Sequence, residues 1–126
     1  MFKLIKIENG RMNVPEPEYL VAGAALEAGQ AVALSGGKLA VNAAAPTHIT
    51  LASAKANESK VPCVRIEPAQ IYEVAISATP SGLYAGDKVT LGTDATTVTA
   101  TKTNGIATIV SLDGAKASGD KVTVRF

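Results

Sequence analysis

The stretch Gln30-Ala31-Val32-Ala33-Leu34-Ser35-Gly36-Gly37-Lys38-Leu39-Ala40-Val41-Asn42 decides the fold class. Val32 and Leu34 alternate with small residues, and Leu39 and Val41 do the same on the far side of the glycines. A period of two is that of a strand with one buried face. Gly36-Gly37 can take the positive φ values of a tight two-residue turn. The sequence therefore predicts a hairpin with Val32, Leu34, Leu39 and Val41 directed at a common core.

Working outward, the same signal recurs. His48 to Ser53 reads as a strand with Ile49 and Leu51 on one face. Lys55 to Lys60 is a charged loop. Val61 to Ile66 is another strand, where Pro62 implies an edge or a first position. Gln70 to Ser77 follows and is closed by Thr79-Pro80-Ser81-Gly82. Lys88 to Leu91 and Thr97 to Ala100 alternate. Asn104-Gly105 is a hairpin signal before Ile106 to Leu112, and Lys121 to Phe126 ends the chain in a strand. On the N-terminal side, Tyr19 to Ala22 reads as a strand followed by a loop. No long helical period occurs, so the expected fold is all-β: a small β-sandwich or β-barrel with little helix.

A short pattern precedes three of these strands: Ala28-Gly29-Gln30, Ala85-Gly86-Asp87 and Ser118-Gly119-Asp120. Gly turns the chain and the polar residue can bind nearby backbone N–H groups. The uneven spacing reads as shared turn chemistry.

Residues 1–18 differ from the rest. An apolar opening, Phe2 to Ile7, gives way to Val14-Pro15-Glu16-Pro17, whose prolines disfavour helix and extend their predecessors. We expect an extended N-terminal arm over 1–18 and a single β-domain over 19–126. A partner-binding arm would use Phe2, Leu4, Ile5, Ile7, Arg11, Val14, Pro15, Pro17 and Tyr19. An ordinary first strand and a disordered terminus are the alternatives.

Composition excludes several function classes. The chain has 126 residues, with 12 basic and 11 acidic side chains, and lacks the basic face that nucleic acid requires. It has no Trp, two Phe and three Tyr, so the core must be built from aliphatic residues. The opening residues are too short and too charged for a signal peptide. No apolar run approaches a membrane span. Assembly in the cytoplasm of the producing cell is the expectation.

Chemistry finds little to work with. His48 is the only histidine and Cys63 the only cysteine, so no intrachain disulfide forms. Neither sits in a glycine-rich elbow or at a helix start that would activate a nucleophile. The expectation is a surface histidine and a buried structural cysteine. Asp87, Asp94, Asp113 and Asp120 lack the spacing of a calcium loop. We expect no enzyme activity, no cofactor, no metal and no small-molecule substrate.

The block Gly23 to Leu34, followed by Gly36-Gly37-Lys38-Leu39, resembles the opening of tailed-bacteriophage capsid decoration (head cement) proteins. Gly82 to Leu91 and Gly119-Asp120-Lys121-Val122 are similar to the turns that start their strands. The resemblance runs from about Gly23 to the C-terminus and lies in the style and order of motifs. It implies a virion protein on the capsid surface that clamps neighbouring major capsid protein subunits, often as a homotrimer. An apolar arm could add a strand to a neighbour's sheet edge. The alternative from another class is a receptor- or glycan-binding β-module of a fibre or adhesin.

Overall fold

Short alternating segments of Val, Ile and Thr become ten strands in the computed structural model, which describes residues 1–8 and 15–126. They are β1 (Lys3–Ile7), β2 (Glu18–Leu20), β3 (Ala31–Ser35), β4 (Lys38–Val41), β5 (His48–Thr50), β6 (Val61–Arg65), β7 (Gln70–Ala75), β8 (Lys88–Val89), β9 (Ala107–Ser111) and β10 (Lys121–Arg125). They pair antiparallel in two five-stranded sheets, ordered β1-β7-β10-β9-β8 and β2-β6-β5-β3-β4. The fold is all-β and sandwich-like, with no helix among the described residues.

The main core lies between the sheets. Tyr72, Val74, Ile109, Val122 and Val124 face Ala31, Ile49 and Val64, with Leu83, Leu91 and Val98 from the loops. The chain is poor in aromatics, yet both phenylalanines and one tyrosine meet here. Phe2 packs edge-on against Tyr72 at 6.3 Å and, with its ring tilted, against Phe126 at 5.4 Å between centroids.

The second sheet is covered in part on both faces. Its far side carries Val32, Leu39, Val61 and Cys63, covered by Ala22, Leu26 and Ala54 from two loops. These loops are locked together by reciprocal backbone bonds between Leu26 and Ala54, both 2.9 Å.

The predicted hairpin forms in the predicted register, Val32↔Val41 and Leu34↔Leu39, with Gly36 at φ 56 and Gly37 at φ 78. All four residues share a face, but only Val32 and Leu39 are covered. Leu34 is 49% and Val41 39% exposed, because the covering loop reaches only to Leu39.

Two other strand expectations change. Val61–Arg65 is an interior strand, between β2 and β5. Pro62 is tolerated because the ladder with β5 ends one residue away, at Thr50↔Cys63. Thr97 to Ala100 forms only single bridges, from Val98 to Ile76 and to Leu91. Asn104-Gly105 does turn the chain, with Asn104 at φ 58.

The three Gly-polar turns share one bonding pattern. Gly29, Gly86 and Gly119 donate their N–H groups to the carbonyls of Thr50, Ile109 and Ile76. The N–H groups of those three residues return to the carbonyls of Gln30, Asp87 and Asp120. Each polar side chain also accepts the N–H three residues back, at Glu27, Tyr84 and Ala117. The recurrent sequence pattern is therefore a recurrent structural unit that starts a strand.

The stretch expected to be an arm is divided. Phe2 is buried in the core, and Lys3–Ile7 forms an edge strand on β7, with a register shift between Leu4 and Lys6. Glu18 opens β2. For residues 3–7 the ordinary-first-strand alternative describes the structure. Their lysines and bulge are the usual protection of a sheet edge.

Candidate functional site

The structure scatters the residues predicted to bind a partner. Phe2 is 3% exposed, so in this conformation it cannot also serve a partner. Leu4 and Ile7 are half-buried against Tyr72 and Gln70, while Ile5 stands out at the bulge. Pro15 is half-buried and Pro17 exposed. Arg11 and Val14 lie outside the described residues. Tyr19 is 62% exposed.

Tyr19 belongs to an apolar row that sequence reasoning did not assemble. It stands directly across from Pro62 in the β2–β6 ladder. The N–H of Leu51 bonds to the carbonyl of Pro62 at 2.9 Å, which continues the row across the next strand. Cross-strand neighbours share a face, so Tyr19, Pro62 and Leu51 line up on one side of the sheet. Leu51 is 48% exposed. The row ends near Gly29, whose N–H bonds to the Thr50 carbonyl and whose free face is taken by Met1. Only tertiary register could reveal it, since Tyr19, Leu51 and Pro62 are far apart in sequence.

The opposite face of β2 carries the most connected polar cluster. Glu18 bonds through one carboxylate oxygen to His48 Nε2 and through the other to an Arg65 terminal nitrogen at 3.0 Å. The Thr47 hydroxyl lies 2.8 Å from His48 Nδ1. The neutral tautomer that satisfies both neighbours donates Nε2–H to Glu18 and accepts the Thr47 O–H. The Arg65 guanidinium first, and the His48 ring second, hold the Glu18 carboxyl below the usual glutamate range. His48 is 2% exposed, which corrects the expected surface histidine. It stays inside because β3 and β6 flank β5 and Glu18 closes over its open nitrogen.

Cys63 is buried, as expected. Its thiol donates weakly to the Glu18 carbonyl at 3.5 Å. Burial pushes its pKa up to about 11, with the Glu18 charge adding to the effect and Arg65 opposing it. Both ring nitrogens of His48 are engaged elsewhere, so the ring does not activate Cys63. Among the described residues, no group of three or more His, Cys, Asp or Glu side chains could hold a metal ion. Open depressions beside Glu73, Asp113 and Asp120, and beside Ser53 and Glu58, lie away from both features. Asp120 is occupied with the N–H groups of Lys116 and Ala117.

The arrangement offers a sandwich with an apolar row whose outer members, Tyr19 and Leu51, are exposed, backed by a closed polar cluster. Compared with known proteins, the chain matches no family model and no curated sequence.

Proposed function

We propose that the chain is a structural virion protein that binds the outside of a tailed-phage capsid and stabilises contacts between major capsid subunits, without catalysis. It would act as a homotrimer on the capsid surface after assembly in the host cytoplasm. The observation that carries this reading is the row Tyr19–Pro62–Leu51 on the sheet, with Tyr19 and Leu51 exposed on either side of a half-buried Pro62. Such a row suits a flat protein surface: aromatic and aliphatic groups held by strands dock with little loss of conformational freedom. The motif resemblance supplies the capsid as that surface, and trimerisation would multiply modest single affinities.

The test is sedimentation of the protein alone and with capsids that lack it. Deleting the first seventeen residues is a poor test, because it removes Phe2 from the core. Tyr19→Ala with Leu51→Ser should keep the fold and lower capsid occupancy at least about tenfold. Unchanged occupancy would refute the docking row.

A second reading, a glycan-binding module, draws on the exposure of Tyr84 (71%) and Tyr19 (62%) as stacking rings. Binding to a glycan array that Tyr84→Ala abolishes, with no capsid binding, would replace the first reading.

A further inference from the structure

We propose that Glu18, His48 and Arg65 form a carboxylate-dependent latch that holds β2 on its sheet and so governs the presentation of Tyr19. The proposal concerns the regulation of the docking row and rests on that reading for its functional consequence.

The C-terminal end of β2 is tied down through Val21 and Ala22, whose backbones bond to Leu39, Asn57 and Glu58, but its first residues have fewer ties. The strand is three residues long and pairs only with β6, as the last strand of its sheet. The residues before it include Pro15 and Pro17, which donate no backbone N–H. Tyr19 is exposed, and Leu20, half-buried against the second core cluster, is the strand's one apolar tie. The Glu18 carboxylate is its polar side-chain anchor, at the end away from Leu20, reaching Arg65 on the adjacent β6 and His48 one strand further in. Glu18 and Tyr19 are consecutive in an extended strand, so the anchor and the docking ring project from opposite faces of one short element.

The groups around the ring are few. β2 supplies Glu18, and β6 supplies Arg65 and the neutral thiol of Cys63. β3 places the apolar Val32 opposite, and the ring's other nitrogen meets the Thr47 hydroxyl. A second proton on His48 leaves Nε2–H in place and so leaves its link to Glu18 intact. A proton on Glu18 removes the negative charge on which both partners depend. The exposed Arg65 pair alone would be screened and weak. The link to a ring sealed from water is less so.

The sign follows from the lowered Glu18 pKa. Its contribution is present above the ordinary glutamate range and is lost as pH falls through the lower value in the folded chain. The latch is thus closed at neutral pH and opens in acid.

Amide hydrogen exchange by NMR on the full chain tests this at Glu18 and Leu20, the β2 residues registered on Cys63 and Val61. Glu18→Gln should speed exchange there about tenfold or more at neutral pH, with the β7–β10 amides unchanged. Arg65→Gln should do so to a smaller degree. Measured as protection relative to the unfolded-chain rate at each pH, the acid-induced loss of β2 protection expected of the wild type should be absent in Glu18→Gln. Unchanged β2 exchange in Glu18→Gln overturns the latch. Capsids lacking this chain serve as the docking probe, and Glu18→Gln should bind them more weakly at neutral pH. If Tyr19→Ala weakens binding but Glu18→Gln opens β2 and still binds normally, the latch does not govern docking. If Tyr19→Ala itself binds normally, the docking reading fails, and its regulation with it.

Discussion

Phe2 and Phe126, from opposite ends of the chain, pack ring against ring with centroids 5.4 Å apart, and Tyr72 completes the cluster. The N-terminal residues are thereby part of the core. Phe2→Ala should destabilise the fold by about 3–5 kcal/mol, the usual range for emptying a buried phenylalanine site. Ile5→Ala, at the exposed bulge, should change stability by less than about 1 kcal/mol. Guanidinium denaturation of both variants checks the contrast. Equal small effects would mean that the first strand is not anchored in the core.

The hairpin over Ala31–Val41 was legible because period-two alternation and a Gly-Gly turn are local signals. Pro62 misled because the rule about edges concerns where a ladder ends, which depends on the length of β5. His48 was misplaced for a similar reason. Its partners Glu18 and Arg65 are distant in sequence and become neighbours only through the β2-β6-β5 order. The opening apolar run was equally compatible with an arm and with a strand. Which one forms depends on whether β7 leaves an open edge, and no local pattern encodes that. The row Tyr19–Pro62–Leu51 was invisible because one member reads as a strand former, one as a strand breaker and one as core.

Two glycines with the same sign of φ should behave differently. Gly36 has φ 56 and open space where a Cβ would project. Gly29 has φ 69, and a Cβ there would sit 2.8 Å from the Phe2 carbonyl oxygen. Gly36→Ala should cost about 1–2 kcal/mol, the ordinary penalty of left-handed backbone. Gly29→Ala should cost clearly more, because the Phe2 backbone must also move. A thermal melt of the two variants side by side reads the difference. Equal losses would mean that the first strand yields freely.

Cys63 should be inert in the folded chain. It is fully buried, and its pKa is pushed up to about 11, so only about one thiol in a thousand would be ionised near pH 8. A thiol-specific disulfide reagent near that pH should react only as fast as the protein opens, and at once in denaturant. Cys63→Ser should lower stability by about 1–3 kcal/mol, since a hydroxyl is a poorer occupant of this apolar site. Rapid labelling of the native protein would contradict the burial.

Acid should loosen the turns that start the strands. Asp120 accepts the N–H groups of Lys116 and Ala117 at 2.8 and 3.0 Å, and these bonds hold its pKa below the usual carboxylate range. Asp87 is lowered first by its pairing with Lys102 and then by the Tyr84 N–H. Asp94 is lowered mainly by the backbone N–H of Thr96. For each, the folded pKa lies below the unfolded one. The stabilisation is therefore present above the ordinary aspartate range and is lost as pH falls through the folded values. Asp120→Asn keeps a side-chain oxygen for the two N–H groups but removes the charge. It should melt slightly lower than wild type at neutral pH and lose less stability on acidification, so the two curves converge as pH falls through the lowered folded value of Asp120. Melts followed by circular dichroism across that range decide the matter. Parallel curves would mean that the Asp120 bonds are no stronger when charged, and that the repeated turns owe their stability to glycine geometry alone.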